Sequence, residues 1–303
     1  MRVVATGNIY LDLNLFGINS NGVNILPEIE HYGNHYQASL GGSAVIAPTI
    51  LSKLGINSTF IGSIGDDEIG NIVRSKLIAA KVHPELVTIP DTQTNISINL
   101  LDELGNTYII ISGSANQNQD PNAVAAKLGA LQETVDMLYI GGAFKLEYLF
   151  STLISQAKNY HLAGKAVFLD HGRVPHQLTP ESRYAFLQQI LPHVTYYAPS
   201  EEDILNAWDG QKPEQIISRY PHLIIHLKLG PKGSILYTHD GVFECATQVA
   251  VGQLNLVGAG DSSNAGFIYA ICKNHGAVQA AKIANQVAYL HVTRQEISQD
   301  KII

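Results

Sequence analysis

The stretch that decides the fold lies near the C-terminal end of the chain and reads Leu256-Val257-Gly258-Ala259-Gly260-Asp261-Ser262-Ser263-Asn264-Ala265-Gly266-Phe267. Apolar residues recur at helical spacing from Ala265 onward, which predicts a glycine loop that leads into a helix. The first N–H groups of a helix lack intrahelical partners and carry partial positive charge, so they suit an anion such as a migrating phosphoryl group. Gly258 and Gly260 would let the backbone approach that anion, and Asp261 could take the proton from an attacking hydroxyl. An ordinary turn with an aspartate N-cap is the alternative interpretation.

Length and composition limit the classes of protein to which the chain can belong. Its 303 residues suffice for one large α/β domain or two smaller ones, and 46% hydrophobic with 15% charged residues is typical of a soluble globular protein. The net charge is −7 without a long basic run, so we expect neither nucleic acid nor a membrane as a partner. Cys245 and Cys272 show no metal or redox spacing, and the first apolar run is too short for a signal peptide or a membrane span. These features favour a cytoplasmic location.

Short apolar runs alternate with helical patterns along most of the chain. Core strands are predicted at residues 3–6, 58–61, 137–140, 166–169, 194–197, 223–227 and 234–237. The pair Gly41-Gly42 opens a predicted helix that ends at Leu54-Gly55. Such alternation predicts an α/β fold with a mostly parallel sheet between layers of helices.

Two stretches depart from this alternation, approximately 13–40 and 95–112. The first is rich in Asn, Gly and Tyr, and the second contains two β-rich runs around a Gly/Asn turn, which predicts a hairpin. We expect both to pair into a small sheet that covers one edge of the larger domain as a lid. We treat residues 1–303 as a single domain with this lid, and exposed lid edges predict a homodimer built through it.

Asp12 follows the first core strand, at the edge where open α/β sheets bind ligands, although a solvated turn aspartate is the alternative. The common phosphate-binding motifs are absent. The chain has neither a Gly-x-x-x-x-Gly-Lys-Ser/Thr loop nor a Gly-x-Gly-x-x-Gly sequence after the first strand. Its twelve histidines are scattered without metal-ligand spacing.

The helix opened by Gly41-Gly42, together with Gly258-Ala259-Gly260-Asp261 late in the chain, resembles the two signatures of the PfkB (ribokinase-like) carbohydrate kinase family. Residues 33–37, 62–70 and 227–233 also resemble ribokinase-type stretches in the same order. The resemblance covers most of the chain, and the combination is far more specific than any one motif. It implies a three-layer α/β/α ribokinase-like fold with a β-sheet lid, an ATP donor and Mg²⁺.

The resemblance also implies roles for individual residues. Asp261 would be the catalytic base, with Gly258, Ala259 and Gly260 supplying the anion hole. The acceptor-binding residues would be Asp12, Tyr10, Gly41, Gly42, Ser43 and Ile46. The nucleotide-binding residues would be Ser200, Lys228, Gly230, Gly233, Gly258, Gly260 and Asn285. Asp203 would hold the metal through water, or would act as a first-turn carboxylate that stabilises its helix.

Three departures from the family pattern concern the metal, a monovalent cation and the acceptor. Ser200-Glu201-Glu202-Asp203 replaces the usual Asn-x-x-Glu motif, and Asn255-Leu256-Val257 replaces Asp-Thr-Thr. In ribokinase-like members the second segment helps to bind a monovalent cation, so the altered sequence leaves a potassium requirement open. Ser43 and Ile46 stand where Lys and Asn grip ribose in ribokinase, and Tyr10 replaces another polar contact. Because unpaired buried polar groups are costly, ribose is disfavoured and an acceptor with an apolar or aromatic part, such as a nucleoside, is favoured.

The sequence therefore predicts an ATP-dependent kinase that phosphorylates a hydroxymethyl group of a small sugar or sugar-containing compound. A nucleoside kinase of the same family is the alternative within this class. A catalytically impaired ligand-binding homologue is the alternative from another class, favoured by the altered 200–203 motif and by Val257. The presence of Asp261 and of both glycine turns opposes that alternative.

Overall fold

The computed structural model describes residues 1–18, 34–102, 107–252 and 254–302. In chain order the strands are β1 (Arg2–Gly7), β2 (Tyr10–Ile18), β3 (His35–Gly41), β4 (Asn57–Gly65), β5 (Val82–Ile89), β6 (Ile96–Asp102), β7 (Thr107–Ser112), β8 (Met137–Gly141), β9 (Ala166–Asp170), β10 (Tyr196–Tyr197), β11 (Ile224–Lys228), β12 (Ser234–Thr238) and β13 (Gly241–Cys245). The α-helices are α1 (Ser43–Lys53), α2 (Glu68–Ala79), α3 (Pro121–Leu131), α4 (Phe150–Leu162), α5 (Pro180–Ile190), α6 (Glu201–Ala207), α7 (Pro213–Arg219), α8 (Ala259–Cys272) and α9 (Ala277–Val292). None of the helices in the described ranges is long and apolar enough to cross a membrane.

Nine strands form the central sheet, in the order β13-β12-β11-β10-β9-β8-β1-β4-β5. The pairs from β11 through to β5 are parallel, whereas β12 and β13 add antiparallel strands at one edge. The order starts at β1 in the middle and grows outward in both directions, so the carboxyl ends of neighbouring parallel strands meet along one rim. The predicted mostly parallel sheet is confirmed.

The two faces of the sheet pack against separate apolar clusters. Val3 and Ala5 of β1 belong to the cluster that contains α1, α8 and α9, while Val4 belongs to the cluster that contains α3, α4 and α5. This alternation is what a strand buried on both sides requires, because successive side chains point to opposite faces. The result is the predicted three-layer α/β/α arrangement.

The second sheet is smaller and has the order β3-β2-β6-β7. Strand β2 pairs antiparallel with β3 and parallel with β6, and the predicted hairpin pairs β6 antiparallel with β7. The described part of the predicted lid thus forms one sheet, while residues 19–33 and 103–106 lie outside the described residues. The sheet begins at Tyr10, earlier than residue 13, so Asp12 is a strand residue and the alternative of a solvated turn is wrong.

Some strand boundaries also differ from the sequence prediction. The run predicted at 194–197 contains only the two-residue strand β10, because a 3₁₀ turn occupies Leu191–His193 just before it. Strands β5 and β13 were not predicted, and each lies at an edge of the central sheet. The rim that positions the site is unaffected, since it is formed by the inner strands.

Candidate active site

Asp12 and Gly41 form a tightly fitted pair in the small sheet. Asp12 is 6% exposed, and a Cβ atom added to Gly41 would overlap its carboxylate. Burial raises the pKa of Asp12 to about 7, the nearby charge of Lys145 lowers it, and the charge of Asp261 raises it further. The charge of Asp261 therefore reaches Asp12 across the predicted acceptor site.

The predicted glycine loop does lead into a helix. Gly258 is the N-cap of α8 with φ +82°, in the left-handed region that favours glycine. The N–H of Ala259 donates to the Leu256 carbonyl at 3.2 Å, and that of Ser262 donates to the Gly258 carbonyl at 2.9 Å. Within the described residues, the N–H groups of Gly260 and Asp261 have no acceptor, so these two amides are available to an anion at the N-terminus of α8.

Asp261 lies half-buried in the first turn of α8. Burial and then the charge of Asp170 raise the pKa of this carboxyl to about 6, while Lys228, the Ser43 hydroxyl and Lys145 lower it. A carboxylate with a raised pKa is a better proton acceptor, provided that it remains ionised near neutral pH.

Helix α1 supplies the wall between the two acids. Its N-cap Gly42 has φ +103°, and a Cβ there would overlap the carbonyl oxygen of Asn8. The hydroxyl of the first helical residue, Ser43, lowers the pKa of Asp261, and the side chain of Ile46 packs against Gly258. One sheet and two helices thus contribute the predicted residues, which are Asp12, Gly41, Gly42, Ser43, Ile46 and Asp261.

A network of hydrogen-bonded polar side chains lies next to the N-terminus of α8. The Lys228 ammonium donates to Asp170 at 2.8 Å and to the Asn264 amide oxygen at 3.1 Å, and the Asn264 amide nitrogen donates to Asp170 at 2.5 Å. Although burial raises the pKa of Asp170, Lys228 and Asn264 together hold it below its ordinary value. The Lys228 Nζ stands 3.6 Å from where a Cβ on Gly260 would lie. A positive charge is thereby fixed next to the free amides.

Lys145 is a cation on the open side of the site. It follows β8 in a 3₁₀ turn, is exposed, and places its Nζ 5.6 Å from the centre of the Tyr10 ring. Its charge lowers the pKa of both Asp12 and Asp261, and no described carboxylate forms an ion pair with it. Tyr10 itself is 5% exposed and lies beneath this ammonium.

A cavity of about 460 Å³ opens beside Asp12, between the small sheet and the helical layer. It is lined by Asp12 and Asn14 from β2, by Ile46 from α1 and by Val257 ahead of the anion-binding loop. Asp261 is not among the described lining residues, so the cavity lies on the Asp12 side of the predicted acceptor site. A ligand that reaches from Asp12 to Asp261 would extend into this space.

The predicted metal-binding segment lies next to Lys228. Ser200 forms an isolated parallel bridge with Lys228 and is the N-cap of α6. Its hydroxyl donates to the Asp203 carboxylate at 2.6 Å, and the Asp203 N–H donates back to that hydroxyl at 3.1 Å. Asp203 therefore completes a capping box, the structural alternative given above, and its other carboxylate oxygen remains for a metal.

The remaining nucleotide-site candidates have clear structural roles. Gly230 and Gly233 bound a 3₁₀ turn after β11 with φ +58° and +92°, and a Cβ on Gly233 would overlap the Cys245 carbonyl. The Asn285 amide donates to that same carbonyl at 2.7 Å. The structure thus holds the end of β13 against α9, and an adenine contact for Asn285 stays a prediction.

Three site residues were missed by sequence reasoning: Asp170, Asn264 and Lys145. Asp170 directly follows the core strand predicted at 166–169, so the rule that singled out Asp12 after the first strand could also have found it. Asn264 lies three residues after Asp261 and shares its helix face. Lys145 carries no local signal, because it reaches the site only through the placement of the turn after β8.

Comparison with known proteins gives one family. The model described as pfkB family carbohydrate kinase matches residues 2–301. Ribokinase of Bacillus subtilis is 25% identical over 263 residues, which is 86% of this chain and 83% of the relative.

Solved structures share the fold at lower identity. A protein from E. coli designated ribokinase II, in complex with ATP and Mg²⁺, superposes with a TM-score of 0.79 at 19% identity and covers 100% of this chain and 96% of that chain. A nucleoside kinase of Burkholderia thailandensis in complex with inosine gives a TM-score of 0.75 at 18% identity, covering 99% of this chain and 94% of that chain.

Proposed function

The chain belongs to the PfkB family of carbohydrate kinases, and from that premise we propose that it transfers the γ-phosphoryl group of ATP to a hydroxymethyl group of a small sugar or sugar-containing compound. The observation that carries the proposal is the pair of unpartnered amides at Gly260 and Asp261, which lie beside the Lys228 ammonium and on the same helix turn as the Asp261 carboxylate. A site with fixed donors on one side and a base on the other suits phosphoryl transfer, which depends on positioning and charge stabilisation.

Each side chain then has a defined task. Asp12 accepts a hydrogen bond from one acceptor hydroxyl, and Asp261 takes the proton of the hydroxyl that attacks. The amides of Gly260 and Asp261 and the nearby Lys228 charge stabilise the transferring group. The small sheet that carries Asp12 covers the site and excludes water, which would otherwise compete with the acceptor.

The residues present suit Mg²⁺ brought in by the nucleotide. Within the described ranges, no group of three His, Cys, Asp or Glu residues could hold a metal ion alone. Mg²⁺ is commonly bound through one or two carboxylates with phosphates and waters, and the half-buried Asp203 at the N-terminus of α6 offers one carboxylate. When bound there, the ion would offset charge on the nucleotide phosphates. Ser200, Gly230, Gly233 and Asn285 stay predicted nucleotide contacts.

Replacement of Asp261 by Asn tests the proposed base. We expect the rate of phosphoryl transfer to fall by about 10³-fold or more, because the amide cannot accept the proton. Transfer is measured as ADP release with a panel of sugars and nucleosides, while calorimetry and thermal unfolding check that the variant still binds ATP and remains folded. A variant as active as the wild type would remove the proposed mechanism. Binding without turnover by the wild type across the panel would instead support the ligand-binding alternative.

The cavity favours a nucleoside as the alternative acceptor. Its volume lies within the usual range for small-molecule sites, and Leu40, Ile46, Ile50 and Phe16 line it beside the polar Asp12. An aromatic base could occupy this apolar side while its sugar reaches the acids. Turnover of nucleosides but not of free sugars in the panel would select this alternative.

A homodimer through the lid is the proposed assembly. The edge strands β3 and β7 expose Tyr36 by 80% and Ile109, Ile110 and Ile111 by 46 to 52%. Unpaired strand edges with apolar side chains readily find a second strand. Light scattering at micromolar concentration should give a dimer mass, and Ile110→Lys should shift it toward the monomer; a monomeric wild type would contradict the proposal. The cytoplasmic location stays a prediction.

A further inference from the structure

The last turn of α9 is tied to the segment that precedes the anion-binding loop. His291 donates its Nε2–H to the carbonyl oxygen of Val257 at 2.7 Å. The N–H of Asn255 donates to the Val292 carbonyl at 2.9 Å, and the Asn255 amide lies 3.4 Å from the same imidazole nitrogen. Two connections therefore fix residues 255–257 to one helix end.

The imidazole also lies directly against the N-cap of α8. A Cβ added to Gly258 would stand 3.4 Å from His291 Nε2. Gly258 is followed by the two free amides, so the position of the ring affects where those amides point. Burial, opposed by the Val257 hydrogen bond and assisted by Lys53, lowers the pKa of His291, which keeps the ring neutral at neutral pH.

Helix α9 is a rigid support for this ring. It packs on α8 where Gly266 leaves so little room that a Cβ would lie 2.8 Å from the Cα of Ala284. Two residues after the helix ends at Val292, Arg294 has φ +55° and donates its N–H to the His291 carbonyl at 3.0 Å. The backbone of α9 therefore positions the imidazole independently of its hydrogen bond to the Val257 carbonyl.

These residues do not suit a monovalent cation. Such an ion is bound by oxygen atoms, yet the Val257 carbonyl already accepts an N–H group. The cleft beside it is lined by the cations Lys53 and Arg294, and its one described carboxylate, Glu296, faces Lys301 at 3.5 Å. A further positive charge would be repelled at this place.

We propose that the His291 imidazole takes the structural role of a monovalent cation, holding residues 255–258 so that the Gly260 and Asp261 amides point at the transferring group, and that the protein is independent of potassium. His291 is a positioning residue, because it acts through the Val257 carbonyl. Only the activity part of the test rests on the proposed kinase function.

Two variants separate the hydrogen bond from the volume of the ring. Phe in place of His291 keeps a ring but cannot donate, whereas Gln can donate through its amide. We expect His291→Phe to raise the rate of amide hydrogen exchange across residues 254–262 by at least tenfold and to lower kcat by a similar factor with little change in the KM for ATP. His291→Gln should stay within about threefold of the wild type in both measurements.

Potassium dependence is measured on the wild type at constant ionic strength, with KCl against tetramethylammonium chloride. We expect the melting temperature to change by less than about 1 °C and kcat by less than twofold, since a ligand that does not bind the native state cannot stabilise it. A larger rise with KCl would overturn the proposal, as would unchanged exchange in the Phe variant. Exchange and melting need no turnover, so they remain decisive if no kinase activity is found.

Discussion

Asp261 and Asp12 are two neighbouring acids whose pKa values are both raised, to about 6 and about 7. A base acts only when ionised, so kcat/KM should rise with pH through this range and level off above it. The charge of Asp261 raises the pKa of Asp12, so the rising part of the curve is expected to contain the titration of both acids. A rate that is flat from pH 5 to 8 would contradict a carboxylate base in this environment.

Substitution of Lys228 or of Asp170 is expected to shift this pH–rate curve in opposite directions. The charge of Lys228 lowers the pKa of Asp261, whereas the charge of Asp170 raises it. Lys228→Met should therefore move the rising part of the curve to higher pH, and Asp170→Asn should move it to lower pH. The measurement is kcat/KM from pH 5 to 9 for both variants. Shifts in the same direction would show that the network does not set the pKa of the base.

Substitution of Gly41 tests whether the Asp12 carboxylate contacts the acceptor. The Cβ of Ala in place of Gly41 would displace the Asp12 carboxylate, so the KM for the acceptor should rise by about tenfold or more while the KM for ATP changes little. Gly276→Ala, at the N-cap of α9, is the matched control, because a Cβ there meets no atom within 4 Å. Equal acceptor KM values for the two variants would argue against contact between Asp12 and the acceptor.

The residues of the site were predictable where a motif carried them and not where tertiary structure assembled them. The glycine loop and Asp261 lie in one continuous stretch, so local spacing was sufficient to find the N-terminus of α8. Lys145 and His291 reach the site from sequence positions that have no local pattern. Asp203 was given two alternatives, and the capping box shows that it serves at least the helical one.

At the scale of elements, the close packing of α8 on α9 is set by Gly266. Ala at this position would press on the backbone of Ala284, and we expect the free energy of unfolding to fall by about 1–3 kcal/mol. The control is Gly129→Ala in α3, where a Cβ meets nothing within 4 Å and should stabilise the helix by about 0.5–1 kcal/mol. Urea unfolding measures both. Equal effects would show that α9 adjusts freely, contrary to its role as the support of His291.

The two strands that were not predicted show which secondary-structure elements lack a clear sequence pattern. Inner strands such as β1 and β8 are buried on both faces and give continuous apolar runs. The edge strands β5 and β13 are partly exposed, and β5 contains Pro84 and Glu85, so their patterns do not stand out. The start of β2 at Tyr10 was missed because only Asn8 and Ile9 separate this strand from β1.

At the scale of the whole molecule, burial of Asp12 links stability to pH. Its pKa is 3.8 when unfolded and about 7 when folded, so the native state binds the proton more tightly. The resulting stability is fully present below pH 3.8 and is lost as pH rises through 7. Asp12→Asn resembles the protonated acid, and we expect it to gain on the order of 1–3 kcal/mol relative to the wild type between pH 4 and pH 8. Denaturant unfolding at both values measures the gain; no gain would mean that Asp12 is not buried as described.

In the proposed mechanism, Asp12 and Asp261 hold the same acceptor molecule beside the free amides of α8. The most direct measurement is a crystal structure with a non-hydrolysable ATP analogue and an acceptor chosen from the active members of the panel. The expected result is one acceptor hydroxyl within hydrogen-bond distance of Asp261, another on Asp12, and the terminal phosphate at the Gly260 and Asp261 amides. An acceptor that touches only one of the two acids, or a phosphate bound away from these amides, would contradict it.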